Sequence, residues 1–336
     1  MNLDFDFGLG MTQGGGLNLN MGFLSTGREA DPATEYDLIV VGAGPAGMNA
    51  ALYAARKGLK VAVLAERIGG QVLDTTAVEN WLGDNRIGGE ALMRRYEGHV
   101  REHEVPITGG VRIEKVLPGD VKTVHASNGL VYRARALILA TGTRPRKLGI
   151  PGETELSGHG VSYCAICDGS FFQGRDVAVA GGGNAAVGAA IDLARIARSV
   201  KLVQRSTLRA DKVLVDRLSA MPNVEILLWT RIQEIEGDHD VSGIRVQDAN
   251  TGEERHIAVD GVFIEIGHNA RSDFLADLLE TTSHGEIVVG ESGQTNIPGI
   301  FAAGDVTTVP YKQIVIAAAD GARAALKATE WLNRSR

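Results

Sequence analysis

The sequence predicts an α/β protein made of two Rossmann-like dinucleotide-binding domains, the second inserted into the first. Three observations carry this. A G-x-G-x-x-G turn at Gly42–Gly47 lies between an apolar strand and a helix. A G-x-G-x-x-A turn at Gly181–Ala186 has the same flanks. The apolar strands Ala136–Gly142 and Gly299–Asp305 return, on fold logic, to the first domain. The expected division is a glycine-rich extension over residues 1–34, a first domain over 35–148 and 270–336, and a second over 149–269.

In the extension, Gly8, Gly10, Gly14, Gly15, Gly16, Gly22 and Gly27 interrupt any helix. Phe5, Phe7, Leu17, Leu19, Met21 and Phe23 alternate with polar or small residues. A flexible tail is expected; the alternative is a docking arm, since those apolar side chains need a surface to cover.

The first fold opens with a strand at Tyr36–Val41. Gly42-Ala43-Gly44-Pro45-Ala46-Gly47 then starts a helix to Lys57, and Lys60–Ala65 forms the next strand. The first glycine of such a turn makes it tight, the second lets a pyrophosphate approach, and the third lets helix and strand pack closely. The helix N-terminus faces the phosphates. Glu66 stands about 20 residues beyond the turn, where an acid bonds a ribose hydroxyl. A helix is expected over Glu90–Glu104, with His99 and His103 on one face. That pair has no third ligand in its pattern, so an exposed polar face is the expected reading.

The second fold repeats the scheme. Asp176–Ala180 is a strand, Gly181-Gly182-Gly183-Asn184-Ala185-Ala186 is the turn, and an alanine-rich helix runs to Ala197. Val200–Val203 is the following strand. Hinges are expected at Lys147–Glu153, which contains Pro151-Gly152, and at Gly267–Ser272. After the strand ending at Asp305, a helix is expected through Lys312, Gln313 and Gly321.

Cys164 and Cys167 are the only cysteines in 336 residues. C-x-x-C spacing lets two sulfurs reach disulfide distance and lowers the pKa of one thiol. Asp168 follows at once and is placed to move protons. The pair can also be read as small buried apolar residues, or as half of a zinc site whose second half is missing. Beside βαβ signals, redox chemistry is the favoured reading. Tyr163 and Phe171-Phe172 flank the motif and are expected to pack in the core or between domains.

Composition sets bounds. Hydrophobic residues make up 44%, enough for two cores. Net charge is −7 with no basic run, so nucleic acid is not expected as a partner. No stretch approaches the length of a membrane span. The first basic residue is Arg28, so no secretion signal is expected, and a cytoplasmic, reducing location suits a reversible dithiol.

The stretches GAGPAG, GGQVLDTTAVENW, SYCAICDG, GGGNAAV and IFAAGDVTTVPYKQ match in order, spacing and context. In these, residues 36–335 resemble the low-molecular-weight flavoprotein disulfide reductases of the thioredoxin reductase type. The likeness is strongest to the reductase portion of the alkyl hydroperoxide reductase flavoprotein subunit. The resemblance implies a homodimer, with FAD on the first domain and NADH or NADPH on the second. It implies that Cys167 lies at the flavin, that Cys164 attacks the partner's disulfide, and that Asp168 is acid and base. Gln71, Asn80, Asp305 and Gln313 match positions that hold the flavin. The strand ends Thr141-Gly142 and Gly304-Asp305 belong with the cofactor-binding residues.

Two departures stand out. The hydroperoxide-reductase flavoprotein carries N-terminal thioredoxin-like domains with their own C-x-x-C. This chain has a glycine-rich stretch there, so a separate carrier is expected: thioredoxin, a glutaredoxin-like protein or a peroxiredoxin-linked partner. NADPH-using thioredoxin reductases carry His-Arg-Arg and a third Arg after the second strand of the nucleotide domain. This chain has Gln204-Arg205-Ser206-Thr207-Leu208-Arg209. Arg205 and Arg209 remain available to a 2′-phosphate, and the choice of nucleotide stays open. The expected function is an NAD(P)H-dependent disulfide reductase. The alternatives are an FAD-dependent dithiol oxidase, against which the intact G-x-G-x-x-A speaks, and a non-enzymatic flavin redox sensor.

Overall fold

The computed structural model describes residues 27–336 except Thr76, Ala276 and Arg336; the stretch 1–26 lies outside the described residues. Leu38-Ile39-Val40-Val41 is apolar on both faces, which suits a central parallel strand covered from both sides. It forms the heart of β1 (Glu35–Ala43). α1 (Pro45–Arg56) follows, with Pro45 where its missing N–H costs nothing. Then come β2 (Val61–Ile68), α2 (Gly89–Arg101), β3 (Ile107–Thr108), β4 (Ile113–Leu117), β5 (Lys122–Ala126) and β6 (Val131–Leu139). The sheet order is β3-β2-β1-β6-β5-β4. β1 is parallel to both neighbours, with Leu38 opposite Val61 and Ala136. β5 is antiparallel to β4 and to β6.

The chain leaves this sheet through β7 (Thr143–Pro145). The second unit contains β8 (Val161–Ser162), α3 (Ala165–Asp168), β9 (Asp176–Ala180), α4 (Asn184–Ala194), β10 (Ser199–Gln204), α5 (Lys212–Ser219) and β11 (Val224–Leu228). A separate antiparallel sheet follows: β12 (Thr230–Glu236), β13 (Gly243–Asp248) and β14 (Glu254–Ala258). β15 (Gly261–Ile264) returns to the parallel sheet, whose order is β11-β10-β9-β15-β8.

β16 (His268–Ala270) carries the chain back and pairs antiparallel with β7, Ala270 opposite Thr143. The outgoing and returning crossovers are therefore hydrogen-bonded to each other. β17 (Ile300–Ala302) joins β6 in parallel, and α6 (Ile314–Arg334) packs on α1. That contact is close: a Cβ on Gly321 would collide with the Ala46 carbonyl. The fold is thus an α/β pair of Rossmann-like domains, the second inserted between β6 and β17 of the first.

Four details correct the sequence reading. Arg28–Asp31 are not a free tail: Arg28 O accepts from Ile107 N at 3.0 Å, and Ala30 N donates to Thr108 Oγ1 at 2.9 Å. β3 has an open edge, and these residues satisfy it. α2 ends at Arg101, so His103 lies beyond it, and Glu104 turns left-handed at φ 57°. Strand β2 runs past Glu66 to Ile68. The last helix starts at Ile314, leaving Lys312 and Gln313 before it.

Candidate active site

Cys164 is extended and caps the N-terminus of α3; its sulfur accepts from Cys167 N at 3.2 Å. The two cysteines form a disulfide, their Cα atoms 5.3 Å apart. Ser162, at the end of β8, organises the surroundings. Its hydroxyl donates to Asp168 Oδ2 at 2.6 Å and accepts from Cys164 N at 3.0 Å. Burial pushes the Asp168 carboxyl up, and the Ser162 bond partly offsets this. Asp168 is thereby held beside the dithiol as a group that keeps a proton more readily than an exposed aspartate.

Two further carboxylates support this turn. Glu153 is 1% exposed. It accepts from Leu148 N, Gly149 N and Tyr163 Oη at 3.0, 2.7 and 3.0 Å. It ties the outgoing crossover to the residue before Cys164, and burial together with Glu153 raises the Tyr163 phenol. Glu265 accepts from Ala165 N at 3.2 Å, and burial raises its carboxyl to about 7. Sequence reasoning missed Ser162, Glu153 and Glu265. For Glu265 a signal was visible: an acid inside the apolar run Val262-Phe263-Ile264-Glu265-Ile266. Phe172 packs edge-on to Phe263 at 5.1 Å, as a core residue should, whereas Phe171 is partly exposed.

The first domain reaches the disulfide through Gln313. Its Nε2 lies 3.9 Å from both Cys164 Sγ and Cys167 Sγ. Its Oε1 accepts from Asn80 Nδ2 at 3.1 Å. Asn80, Gln313 and the cysteine pair, predicted separately, thus meet. Asp305 follows Gly304 in a short turn after β17, and burial raises its carboxyl to about 6 against the pull of Lys312. Thr141 Oγ1 donates to Arg271 O at 2.7 Å, and Gly142 O accepts from Arg271 N at 3.0 Å. Gln71 is exposed in a short 3-10 turn whose Gly70 lies against the first glycine turn, a Cβ on Gly70 falling 3.2 Å from Gly44 Cα. Glu66 is ion-paired with Arg271 and lies 3.4 Å from Arg144. A ribose at Glu66 has to share or displace those guanidinium groups, both of which stand at the crossover strands.

At the first glycine turn, Gly42 has φ 109°, and a Cβ there would strike the Ala140 carbonyl. A Cβ on Gly47 would strike the Gly42 carbonyl, which fits the close helix–strand packing. The Gly44 position opens onto free space, and no side chain caps α1, where Ala46 follows Pro45. The second turn repeats this. Gly181 has φ 144°, the Gly183 position is open, and α4, with Asn184, Ala185 and Ala186 in its first turn, has no side-chain cap. Asn184 instead exchanges hydrogen bonds with Asp211. Arg209 N donates to Gly182 O at 2.7 Å, so the segment after β10 folds back over the turn. The Gln204 side chain is buried in that segment, donating to Thr207 O at 3.2 Å. Arg205 and Arg209 are exposed, and neither has an ion-pair partner among the described residues. Among the described residues no group of three His, Cys, Asp or Glu is arranged to hold a metal.

The family model described as pyridine nucleotide-disulphide oxidoreductase matches residues 36–321, which include both glycine turns and the disulfide. The chain belongs to this family. An alkyl hydroperoxide reductase component of Pseudomonas aeruginosa is 47% identical over 317 residues, 92% of this chain and 61% of that protein. The chain thus spans about three fifths of the length of the curated relatives it matches. A thioredoxin reductase from Streptococcus pyogenes superposes with a TM-score of 0.85 at 39% identity, covering 89% of this chain and 99% of that one. A thioredoxin reductase from Lactococcus lactis, solved in its FR conformation, has the same coverage and 35% identity, but a TM-score of 0.62.

Family membership implies a flavin and a pyridine nucleotide. The chain fits both: two open glycine positions, each before an uncapped helix N-terminus, are cradles for two dinucleotide phosphates. No helix among the described residues is long and apolar enough to cross a membrane.

Proposed function

We propose that this chain is a disulfide reductase that takes electrons from NADH or NADPH through FAD to Cys164–Cys167. From there they pass to the disulfide of a small thioredoxin-like, glutaredoxin-like or peroxiredoxin-linked carrier. The observation that carries the reading is the position of the disulfide. It is formed in the second unit, yet it faces Gln313 of the first, which Asn80 of the first also holds.

FAD, when bound, supplies the two-electron relay between nucleotide and disulfide. The chain's own residues do the rest. Gly42, Gly44, Pro45, Ala46 and Gly47 receive the flavin's pyrophosphate, and Gly181, Gly183, Asn184, Ala185 and Ala186 that of the nicotinamide nucleotide. Arg205 and Arg209 flank the second turn, where a 2′-phosphate would lie. The S–S bond opens as two electrons and two protons enter, giving two thiols. With FAD in place, Cys167 would be the sulfur held toward it. Cys164 attacks the carrier's disulfide, Cys167 resolves the mixed disulfide, and Asp168 supplies the proton to the departing carrier thiolate.

The boundaries between the domains are proposed at the paired crossovers β7 and β16. A rotation there is supported by the two TM-scores, which differ at similar identity as a rearranged pair of domains would. The working form is proposed to be a homodimer.

Steady-state oxidation of NADH and NADPH with a panel of small C-x-x-C proteins tests the reading. Turnover has to depend on one of them. Hydroperoxide alone should be reduced slowly, and a carrier plus a peroxiredoxin should restore the rate. Fast hydroperoxide-dependent oxidation by the isolated protein, corrected for oxygen, would sink the carrier requirement. Absence of any disulfide-dependent turnover would sink the reductase itself.

A further inference from the structure

Glu265 directly follows β15, which lies between β9 and β8 in the second sheet. Its N–H donates to Ala180 O at 2.8 Å, and its own carbonyl lies where a Cβ on Gly181 would fall. The residue is therefore wedged against the nucleotide turn. Its carboxylate points the other way and accepts from the N–H of Ala165, between the two cysteines. A single side chain spans the gap from the nucleotide turn to the dithiol helix.

Few charges surround it. α3 brings Cys164, Cys167 and Asp168, the last held by Ser162 of β8. β9 has Asp176 at its far end, engaged by Arg198, and α4 has Asp192 near its C-terminus, paired with Arg195. Beyond β15 comes His268, which burial and Lys312 keep from charging. No cation among the described residues compensates the Glu265 carboxylate; burial and the Ala165 bond account for its state.

We infer that Glu265 is a positioning residue for the dithiol: its carboxylate tethers the first turn of the C-x-x-C helix through Ala165, and its charge opposes thiolate formation at Cys164 and Cys167. This rests on the dithiol chemistry proposed above. Opening the disulfide consumes two electrons and two protons and leaves two thiols; the nucleophile then forms when one thiol loses its proton to water. Glu265 acts on that last equilibrium. An uncompensated carboxylate in a partly desolvated site disfavours a second anion nearby. The converse holds equally, so a thiolate strengthens the carboxyl's hold on a proton. Burial raises the Glu265 carboxyl to about 7, so near neutrality it takes up a proton far more readily than an exposed glutamate does. Thiolate formation therefore draws a proton onto Glu265, which keeps the site's charge nearly constant as the nucleophile appears.

The test uses the flavin-loaded protein, reduced with dithiothreitol, freed of reductant and alkylated with iodoacetamide from about pH 5.5 to 9. Glu265→Gln keeps an acceptor for Ala165 N–H and removes the charge. Its alkylation near neutral pH should be about three- to tenfold faster than wild type, with the profile displaced to lower pH. Glu265→Asp restores the charge and should return the rate to within about twofold. A Gln profile that superposes on wild type, or moves to higher pH, overturns the inference. Should the variants lose flavin, wild type decides the matter. Redox-difference infrared spectra with carboxyl-labelled glutamate should show a glutamate gaining a proton on reduction near neutrality, and spectra without that change overturn it. Failure of the reductase reading shows separately, as disulfide that dithiothreitol reduces and neither NADH nor NADPH does.

Discussion

Asn80 Nδ2 donates to Gln313 Oε1 at 3.1 Å, joining residues 233 positions apart in the chain. The bond holds the amide oxygen on Asn80, while the amide nitrogen donates to Lys312 O at 2.9 Å. With its oxygen engaged, its NH2 group faces the two sulfurs of the disulfide. A neutral donor there favours a thiolate over a thiol, whereas Glu265, bonded to Ala165 N within the C-x-x-C turn, opposes it. The dithiol therefore has a donor from one domain and an acid from the other. Rotation of the domains would remove the donor and leave the acid.

The two sulfurs should behave differently. With Cys164→Ser, the Cys167 thiolate beside the oxidised flavin should give a long-wavelength absorbance band. With Cys167→Ser the band should be missing, while Cys164 should still trap a carrier as a mixed disulfide. Each single variant should lose carrier reduction by at least about a thousandfold. Absorbance spectra and non-reducing gels read the two outcomes, and the reversed pattern would exchange the roles. Asp168→Asn keeps the Ser162 contact in shape, and should slow carrier release by about tenfold to a hundredfold without changing the flavin spectrum.

Nucleotide choice follows from the segment after β10. Gln204 is buried in its own loop, so it neither repels a 2′-phosphate nor demands the ribose hydroxyls. Both NADH and NADPH should reduce the flavin in stopped-flow experiments, with NADH modestly favoured. Arg205→Ala should weaken NADPH by about tenfold and NADH by less than about twofold, since only the former has a phosphate for a guanidinium. An equal loss for both would place Arg205 away from the 2′ position.

Much of this site was legible because backbone chemistry leaves sequence traces. Gly42 and Gly47 each have a separate geometric reason to be glycine, and Gly181 repeats that of Gly42, while Gly44 and Gly183 leave their positions open for a ligand to approach. Cys164, Cys167 and Asp168 announce themselves by spacing. Ser162 and Glu153 did not, since a serine or an acid near a turn is ordinary until its partners are known. The Glu66–Arg271 pair was also hidden: it joins β2 to the segment just after β16, and no local pattern links the two. The end of α2 was misplaced because the apolar and charged residues continue in helical rhythm through Glu104. Glu104 nevertheless turns left-handed, and the chain enters β3.

The N-terminal boundary can be located by truncation. Arg28 and Ala30 satisfy the open edge of β3. Removing residues 1–26 should leave flavin content and thermal stability close to wild type. Removing 1–34 exposes Ile107 N and the Thr108 hydroxyl, and should lower Tm by about 4 °C. Differential scanning calorimetry of the two truncations distinguishes them, and equal melting temperatures would show that the edge contacts contribute nothing.

Asp305 makes the pH dependence of folding testable. Burial lifts its carboxyl from 3.8 to about 6, chiefly because the charged form is poorly solvated beneath β17 and α6. The folded state thus holds this proton more tightly than the unfolded chain does. Between about pH 4 and 6 the native protein binds more protons, so stability falls as pH rises through that window. Above it the cost is fully present. Asp305→Asn removes the charge and keeps the shape. The flavin-free variant should therefore be more stable than flavin-free wild type by about 3 kcal/mol near pH 7.5, and nearly equal to it near pH 4. Urea midpoints at the two pH values measure this. An advantage that grows toward acid pH would mean that Asp305 is stabilised as a carboxylate, and that Lys312 outweighs burial. Flavin retention should move the opposite way: the variant should bind FAD more weakly at pH 7.5 if the carboxylate at Asp305 is part of the flavin site. A more stable apoprotein with a weaker holoprotein is the pattern expected of a charge kept in place for a ligand rather than for the fold.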